Sequence, residues 1–383
     1  MQLQMRVNQD IIRNNKILFV IHGLGIGGSE MFFVNLVNGF KKNGYQPIVV
    51  LLSEHNPILN RLDPEVPYHI LKRRFRYDLS VSGKIRSIIQ SENIKKVFCV
   101  ELFSFFLSKR LFLFNQEVRF FLSVHNSIPI TKKAYTLDLI YLRFFQKNDR
   151  VIFVCNFQKD CYKERYYFRP RNSYVIYNGI NVSHYSRTMT TKELNNGEMS
   201  WKSRMGLSEL DKTILIIGRL AQEKGHLYAI KALQHLHTNL GLHAHLVIVG
   251  GGTADFENML TEAANKSGVQ NYIHFVGSQK EVRPYLYYAD VFSLTSFSET
   301  FSIAALEALS MGVPCSLTKV GGAPEMIVNE NIGTLCESRN EASMADSWNL
   351  LLRKEPDREY ISRYAVESFS FDKMLKNYLE VIN

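Results

Sequence analysis

The chain has 383 residues, with 46 Lys+Arg, 36 Asp+Glu and 11 His. That length suits about two domains, and a content of 46% hydrophobic and 12% aromatic residues excludes a disordered chain. The net charge of +10 is uneven, +15 over residues 1–195 and −5 over 196–383, which points the first half at an anionic partner: nucleic acid, a membrane surface or a phosphorylated substrate.

Residues 16–22 (KILFVIH) predict a strand that runs into a Gly-rich segment. Residues 29–42 carry Phe33, Leu36, Val37 and Phe40 at helical spacing, and Gly44 ends the helix. Residues 46–52 (QPIVVLL) are the next strand. Continuous rather than alternating apolar strands belong to parallel sheets covered on both faces. Further strands are expected at 96–100, 119–125, 150–155 and 173–177. The polar stretch 184–211 reads as a linker with one short helix. A second βα series follows: strands at 213–217, 245–249, 273–276, 291–294 and 314–317, with helices at 227–238 and 302–310. The tail 372–382 has Met374, Leu375, Tyr378 and Leu379 on one helical stripe. The expected fold class is α/β, two Rossmann-like parallel-sheet domains.

Other classes drop out. Cys99, Cys155, Cys161, Cys315 and Cys336 are odd in number and form no C-x-x-C, so neither a disulfide framework nor a zinc ribbon is expected. No apolar run approaches about 18 residues. Residues 1–15 lack the apolar core of a signal peptide. The expectation is a cytoplasmic protein with reduced thiols.

The first glycine cluster, Gly23, Gly25 and Gly28, matches G-x-G-x-x-G between strand and helix. An NAD-dependent enzyme would also need an acidic residue about 20 positions on, ending the next strand. Glu54 lies 26 beyond Gly28, past Ser53, a poor fit. The alternatives are a plain tight turn, or a helix start whose Gly27 and Gly28 meet a phosphate or a substrate oxygen without NAD.

The second half holds four segments. In 217–225, Arg219 and Lys224 lie five apart on a glycine turn and can converge on one pyrophosphate, Arg as a fork and Lys as a point charge. Gly250, Gly251 and Gly252 form a strand-end turn that allows close ligand approach. The segment 296–309 opens a helix whose amides near Ser302 and Ile303 can hold an anion. It also carries Glu299 and Glu307 as E-x7-E. Eight helical positions span about 12 Å and rotate by about 80°. The pair therefore does not suit glycosidase carboxyls, about 5–9.5 Å apart. The fourth segment is Gly312-Val313-Pro314, then Gly321-Gly322-Ala323-Pro324-Glu325.

In order and spacing these segments resemble the retaining glycosyltransferases of family 4, which have the GT-B fold. Gly27-Gly28-Ser29-Glu30, His125-Asn126 and Tyr177-Asn178-Gly179-Ile180-Asn181 resemble that family's upstream motifs. The resemblance favours the third reading of the first glycine cluster. It implies two Rossmann-like domains, 1–190 on the acceptor side and 212–370 on the donor side. It also implies a cleft between them, a linker at 191–211 and a helix at 371–383 that packs back on the first. It implies transfer of a hexosyl group (EC 2.4) from a nucleotide diphosphate sugar, expected as a UDP- or GDP-sugar, with retention at the anomeric carbon.

The implied catalytic residues are Glu299 facing the donor sugar, Arg219 and Lys224 on the diphosphate, and His125, for which a core role stays open. The implied donor-binding residues are Gly27, Gly28, Gly250, Thr300, Phe301, Ser302, Ile303 and Glu307, the last on the ribose hydroxyls. No metal and no other cofactor is expected. Thr300 stands where the family usually has Gly, which narrows the space near the donor sugar.

The first half mixes aromatic and basic residues at 72–77, 103–114 and 166–171. No nucleic-acid motif accompanies them, and each basic residue adds about 1 kcal/mol near an anionic bilayer. The basic half therefore suits an anionic lipid carrier met peripherally at the inner face of the cytoplasmic membrane, and the family resemblance implies an acceptor that is a lipid-linked saccharide of bacterial surface polysaccharide assembly (lipopolysaccharide O-antigen, capsule or exopolysaccharide). A soluble transferase making a small glycoside is the alternative, with an NAD-dependent enzyme behind it.

Overall fold

The computed structural model describes residues 15–25, 27–75, 78–113, 117–125, 131–187 and 200–383. Several sequence readings fall outside these residues: Ile26, Arg76, Tyr77, Phe114, Asn126 and the linker stretch 188–199. The chain forms two compact units, one of Met1–Asn178 with Met374–Asn383, the other of Gly179–Lys373.

In unit 1 the strands are β1 (Lys16–Ile21), β2 (Gln46–Leu51), β3 (Tyr68–Ile70), β4 (Lys96–Val100), β5 (Arg119–Val124), β6 (Arg150–Phe153) and β7 (Ser173–Val175). They pair in the order β3-β2-β1-β4-β5-β6-β7, every pair parallel. Helices α1 (Gly28–Lys42), α2 (Val81–Ser91), α3 (Leu102–Lys109), α4 (Lys132–Leu142) and α5 (Asn156–Arg165) alternate with them. Parallel pairing follows from the strand composition: β1 is buried along nearly its whole length, so only a sheet with helices on both faces can use it. The stripe read on α1 is the buried one, with Phe19 against Phe33 and Phe40 at 6.0 and 5.4 Å.

Unit 2 contains a short helix, α6 (Trp201–Arg204), and strands β8 (Thr213–Ile217), β9 (His245–Val249), β10 (Ile273–Gly277), β11 (Val291–Leu294), β12 (Cys315–Thr318) and β13 (Gly333–Cys336). The order is β10-β9-β8-β11-β12-β13, again parallel throughout. The helices are α7 (His226–Thr238), α8 (Ala254–Lys266), α9 (Arg283–Tyr288), α10 (Ile303–Ser310), α11 (Ala323–Met326), α12 (Glu341–Arg353), α13 (Arg358–Phe369) and α14 (Phe371–Ile382). From Met374 onward α14 belongs to unit 1. It buries Met374, Leu375, Tyr378, Val381 and Ile382, and Tyr378 lies 5.6 Å from Phe32 and 5.8 Å from Phe98.

The structure differs from the sequence reading in three places. Residues 179–187 pack with unit 2 rather than with the first domain, because Ile180 bridges Ser370 and Arg187 donates to the Tyr287 carbonyl. The start of α6 is no open linker: Trp201 is buried, stacks on Tyr285 at 5.5 Å and donates its indole N–H to the Pro284 carbonyl. Lys109 is not a surface charge. It is 2% exposed and paired at 2.9 Å with the equally buried Asp149.

Candidate active site

In an open parallel sheet, ligands bind beyond the carboxyl ends of the strands where the strand order reverses. In unit 2 that point lies between β8 and β11. The segment 218–225 leaves β8 and 295–302 leaves β11, so the topology brings together the two segments richest in motif residues.

Glycine is required where the two turns touch. Gly225 has φ +72°, and a Cβ there would lie 2.0 Å from the Thr295 carbonyl oxygen. The contact is sewn by hydrogen bonds: the Thr295 hydroxyl donates to the Lys224 carbonyl at 2.8 Å, and the Phe297 N–H to the Glu223 carbonyl at 2.8 Å. A Cβ at Gly250 would lie 1.8 Å from the Gly218 carbonyl oxygen, so this glycine lets the β8 and β9 turns interlock. The Leu220 N–H donates to the Gly251 carbonyl across that contact. Gly321 packs against the Glu299 carbonyl in the same way, and the Gly322 N–H donates to the Thr300 carbonyl at 2.8 Å. The G-G-x-P-E segment thus holds the backbone of residues 299–300.

On this frame Lys224 Nζ and Glu299 Oε2 lie 2.6 Å apart, their side chains 22% and 19% exposed. Arg219 does not join them: it is 76% exposed and pairs with Glu223 at 3.3 Å. An exposed pair of this kind holds its partners by only about 0–1 kcal/mol, so the guanidinium is free to turn to a ligand. Its backbone is fixed from below by His226, a residue the motif reading passed over. His226 is fully buried and its Nε2–H donates to the Arg219 carbonyl at 3.0 Å, while Nδ1 has no partner among the described residues. Burial pushes its pKa down and keeps the ring neutral. The K-G-H run was visible in sequence, but only burial shows what the histidine does.

Helix α10 starts at Ile303, capped by the Ser302 hydroxyl, which accepts from the Ala305 N–H at 3.2 Å. That hydroxyl is committed to the cap. The Phe301 ring packs on Phe369 at 5.8 Å, and the Thr300 side chain is buried. These residues can therefore offer a ligand backbone groups at the positive helix end more readily than side chains. Glu307 lies one turn further on. Its Oε1 accepts the Tyr185 hydroxyl at 2.6 Å, and burial pushes its carboxyl up to about 7 against the opposing effect of that bond. Glu299 and Glu307 thus have separate partners, and Tyr185 comes from the polar stretch that starts at 184, where no motif marks it.

In unit 1 the strand order reverses between β1 and β4. Gly27, extended, precedes α1, whose first residue is Gly28 and whose start has no side-chain cap. His125 follows β5. Its Nε2 is 2.9 Å from the Ser123 hydroxyl, which is 3.1 Å from the Tyr378 hydroxyl. The ring lies 4.1 Å from Phe32, and the backbone N–H donates to Glu101 at 3.0 Å. Burial pushes the imidazole down to about 3, so it is neutral near pH 7. Among the described residues, no group of three or more His, Cys, Asp or Glu could hold a metal ion.

The basic run of unit 1 is partly used internally. Arg73 reaches back to His22 at 3.0 Å, and Lys72 pairs with Glu54 at 2.8 Å. Phe75, Leu79 and Leu111 are exposed, and Arg110 donates to the Leu79 carbonyl.

Comparison with known proteins gives two family matches: "Glycosyl transferases group 1" over residues 199–368 and "Glycosyltransferase Family 4" over 26–184. An uncharacterised glycosyltransferase of Methanocaldococcus jannaschii is 32% identical over 54% of this chain, a match spanning only 53% of that relative. N-acetyl-alpha-D-glucosaminyl L-malate synthase of Bacillus anthracis is 24% identical over 92% of this chain and 93% of its own. A UDP-Gal:alpha-D-GlcNAc-diphosphoundecaprenol alpha-1,3-galactosyltransferase of Escherichia coli is 26% identical over 62% and 60%. Among solved structures, a Rickettsia africae glycosyltransferase superposes with TM-score 0.80 at 20% identity, over 96% of this chain and 98% of that one. Anabaena HepE in complex with UDP superposes with TM-score 0.77 at 15% identity, over 95% and 98%. The fold is of the GT-B class.

Proposed function

The chain belongs to the group 1 glycosyltransferases of family 4, and from that premise we propose that it moves a hexosyl group from a nucleotide diphosphate sugar to an acceptor hydroxyl with retention of configuration. The observation that carries the donor half is the Lys224–Glu299 pair at the β8/β11 reversal, held between interlocked glycine turns. A lysine already oriented by a carboxylate stabilises a departing diphosphate without reorganising as charge develops. Arg219 adds a second cation by leaving Glu223. The backbone at Thr300, Phe301, Ser302 and Ile303 meets the diphosphate, Gly250 lets the turns close up to it, and Glu307 accepts from the ribose. Glu299, fixed by Lys224, faces the donor sugar and favours positive charge at its anomeric carbon. His125, neutral, serves as a hydrogen-bonding group towards the sugar rather than as a cation. Gly27 and Gly28 present the start of α1 to the acceptor or to phosphate. No protein nucleophile is assigned; attack comes from the face that the diphosphate leaves.

The proposed donor is a UDP- or GDP-sugar, bound without a metal; Anabaena HepE binds UDP. The proposed acceptor is a lipid-linked saccharide of surface polysaccharide assembly. Two observations support it: the likeness to a galactosyltransferase named for an alpha-D-GlcNAc-diphosphoundecaprenol acceptor, and exposed Phe75, Leu79 and Leu111 beside Arg74 and Arg110 in unit 1. No helix among the described residues is long and apolar enough to cross a membrane, so contact with an inner leaflet would be peripheral. A second reading, a water-soluble acceptor, is favoured by the longer match to a malate glycoside synthase.

The test is a thermal-shift screen over UDP-, GDP-, ADP- and dTDP-sugars. Turnover assays with lipid-linked and soluble acceptors follow, with the product's anomeric configuration read by NMR. An inverted product overturns retention. Turnover of soluble acceptors alone, with no binding to anionic vesicles, overturns the lipid-linked reading.

A further inference from the structure

The contact between Tyr185 and Glu307 joins a donor-site carboxylate to a residue from a stretch that looked like linker. Residues 180–187 are clamped onto unit 2. Ile180 bridges Ser370, the His184 and Tyr185 N–H groups donate to the Asn181 carbonyl at 3.2 and 3.1 Å, and Arg283 donates to the His184 carbonyl at 3.2 Å. Arg187 closes the segment through the Tyr287 carbonyl at 3.0 Å. This clamp carries the Tyr185 hydroxyl to 2.6 Å from Glu307 Oε1, a short charge-assisted bond.

We propose that Tyr185 is a positioning residue for donor binding: its hydroxyl holds the Glu307 carboxylate in one orientation and presents the second oxygen to the ribose hydroxyls. The inference rests on the reading of Glu307 as the ribose acceptor. A carboxylate offers about four acceptor sites, so one bond from tyrosine leaves room for the ribose. A phenylalanine would fill the same space and donate nothing.

The surroundings make the tyrosine matter. Burial pushes the Glu307 carboxyl up to about 7, Glu281 pushes in the same direction, and the Tyr185 bond opposes both. The other charged or titratable groups nearby are committed elsewhere. Arg283 pairs with Glu281 at 2.6 Å, and the His184 ring lies edge-on to Tyr185 at 4.9 Å. Arg187 turns to the Tyr287 and Met311 carbonyls, and Arg358 on α13 donates to the Ala289 carbonyl. Tyr185 is thus the group that favours the ionised form of Glu307, the form that accepts from ribose hydroxyls without competing as a donor.

The experiment measures binding of UDP-glucose and of GDP-mannose to the full chain from pH 5.5 to 9, for the wild type, Tyr185→Phe and Glu307→Gln. Their diphosphate diesters keep their charge over this range. The wild type should lose affinity as pH falls through about 7. In Tyr185→Phe the midpoint should rise by about one pH unit, giving about fivefold weaker binding at pH 7 and recovery to within about twofold at pH 9. Glu307→Gln should bind weakly with a flat profile. A Tyr185→Phe profile that coincides with wild type, or a loss equal at every pH, overturns the role of Tyr185 while Glu307→Gln remains impaired. Full affinity in Glu307→Gln, or binding of no UDP-, GDP-, ADP- or dTDP-sugar by the wild type, overturns the donor-site reading itself.

Discussion

Each unit holds a lysine paired with a carboxylate, and the two pairs behave as opposites. Lys109–Asp149 in unit 1 is 2% and 1% exposed, with Lys109 Nζ 4.7 Å from the centre of the Phe120 ring and the second Asp149 oxygen taking the Gln146 N–H at 2.8 Å. It lies inside a core of Phe105, Phe120 and Leu107. Lys224–Glu299 in unit 2 is shorter, 2.6 Å, yet remains 22% and 19% exposed, on turns that leave strand ends. A sealed pair can serve only the fold. A pair that water still reaches, on a frame that other bonds hold, can keep its partner and turn its remaining donor and acceptor sites to a ligand. Ion-pair distance alone does not tell them apart; access and the origin of the surrounding rigidity do.

The sharpest way to break that contrast is to remove one partner from the sealed pair. Lys109→Ala or Asp149→Ala should cost about 3–5 kcal/mol in chemical denaturation, because a lone buried charge remains. Joint replacement by Met and Leu should recover most of the loss. A small effect of either single change would show the pair to be hydrated. Next, Lys224→Ala should lower turnover by about 10²–10³-fold while changing stability by no more than about 1 kcal/mol. Loss of folding instead of turnover would make this pair structural as well. Gly225→Ala should follow, destabilising by about 1–3 kcal/mol through its left-handed backbone, with a further loss from the 2.0 Å approach to Thr295.

His125 predicts a pH effect in unit 1. Its folded pKa lies far below the unfolded value near 6.5, so neutral burial stabilises above that value and the gain disappears as pH falls towards about 3. The slope for one proton is about 1.4 kcal/mol per pH unit, and His125→Gln should flatten the acid limb of the stability curve. The smallest effect belongs to the exposed Arg219–Glu223 pair: Glu223→Ala should change stability by about 0.5 kcal/mol or less, whereas Arg219→Ala should weaken donor binding.

Much of this was legible in the chain itself. Continuous apolar strands such as 16–21 and 245–249 determined parallel pairing, since a strand without a polar face needs cover on both sides. The glycines at 250–252 marked a turn open to close approach, and the order of motifs indicated a glycosyltransferase; that Gly225, Gly250 and Gly321 let neighbouring backbones touch came from the structure. Tertiary structure alone decided which partner each polar group has. Arg219 and Lys224 are five residues apart in one turn, yet one pairs with Glu223 in the open and the other reaches Glu299 across a strand switch. Lys109 looked like a surface charge beside Arg110 and proved to be core, because Asp149 waits forty residues on. Tyr185, unremarkable in sequence, and Tyr378, legible only as part of an apolar stripe, are brought to Glu307 and Ser123 by distant segments. Periodicity and glycine report the local backbone, which each stretch of chain carries with it. Burial, and with it the charge state of a histidine or a carboxylate, depends on residues that only folding brings near.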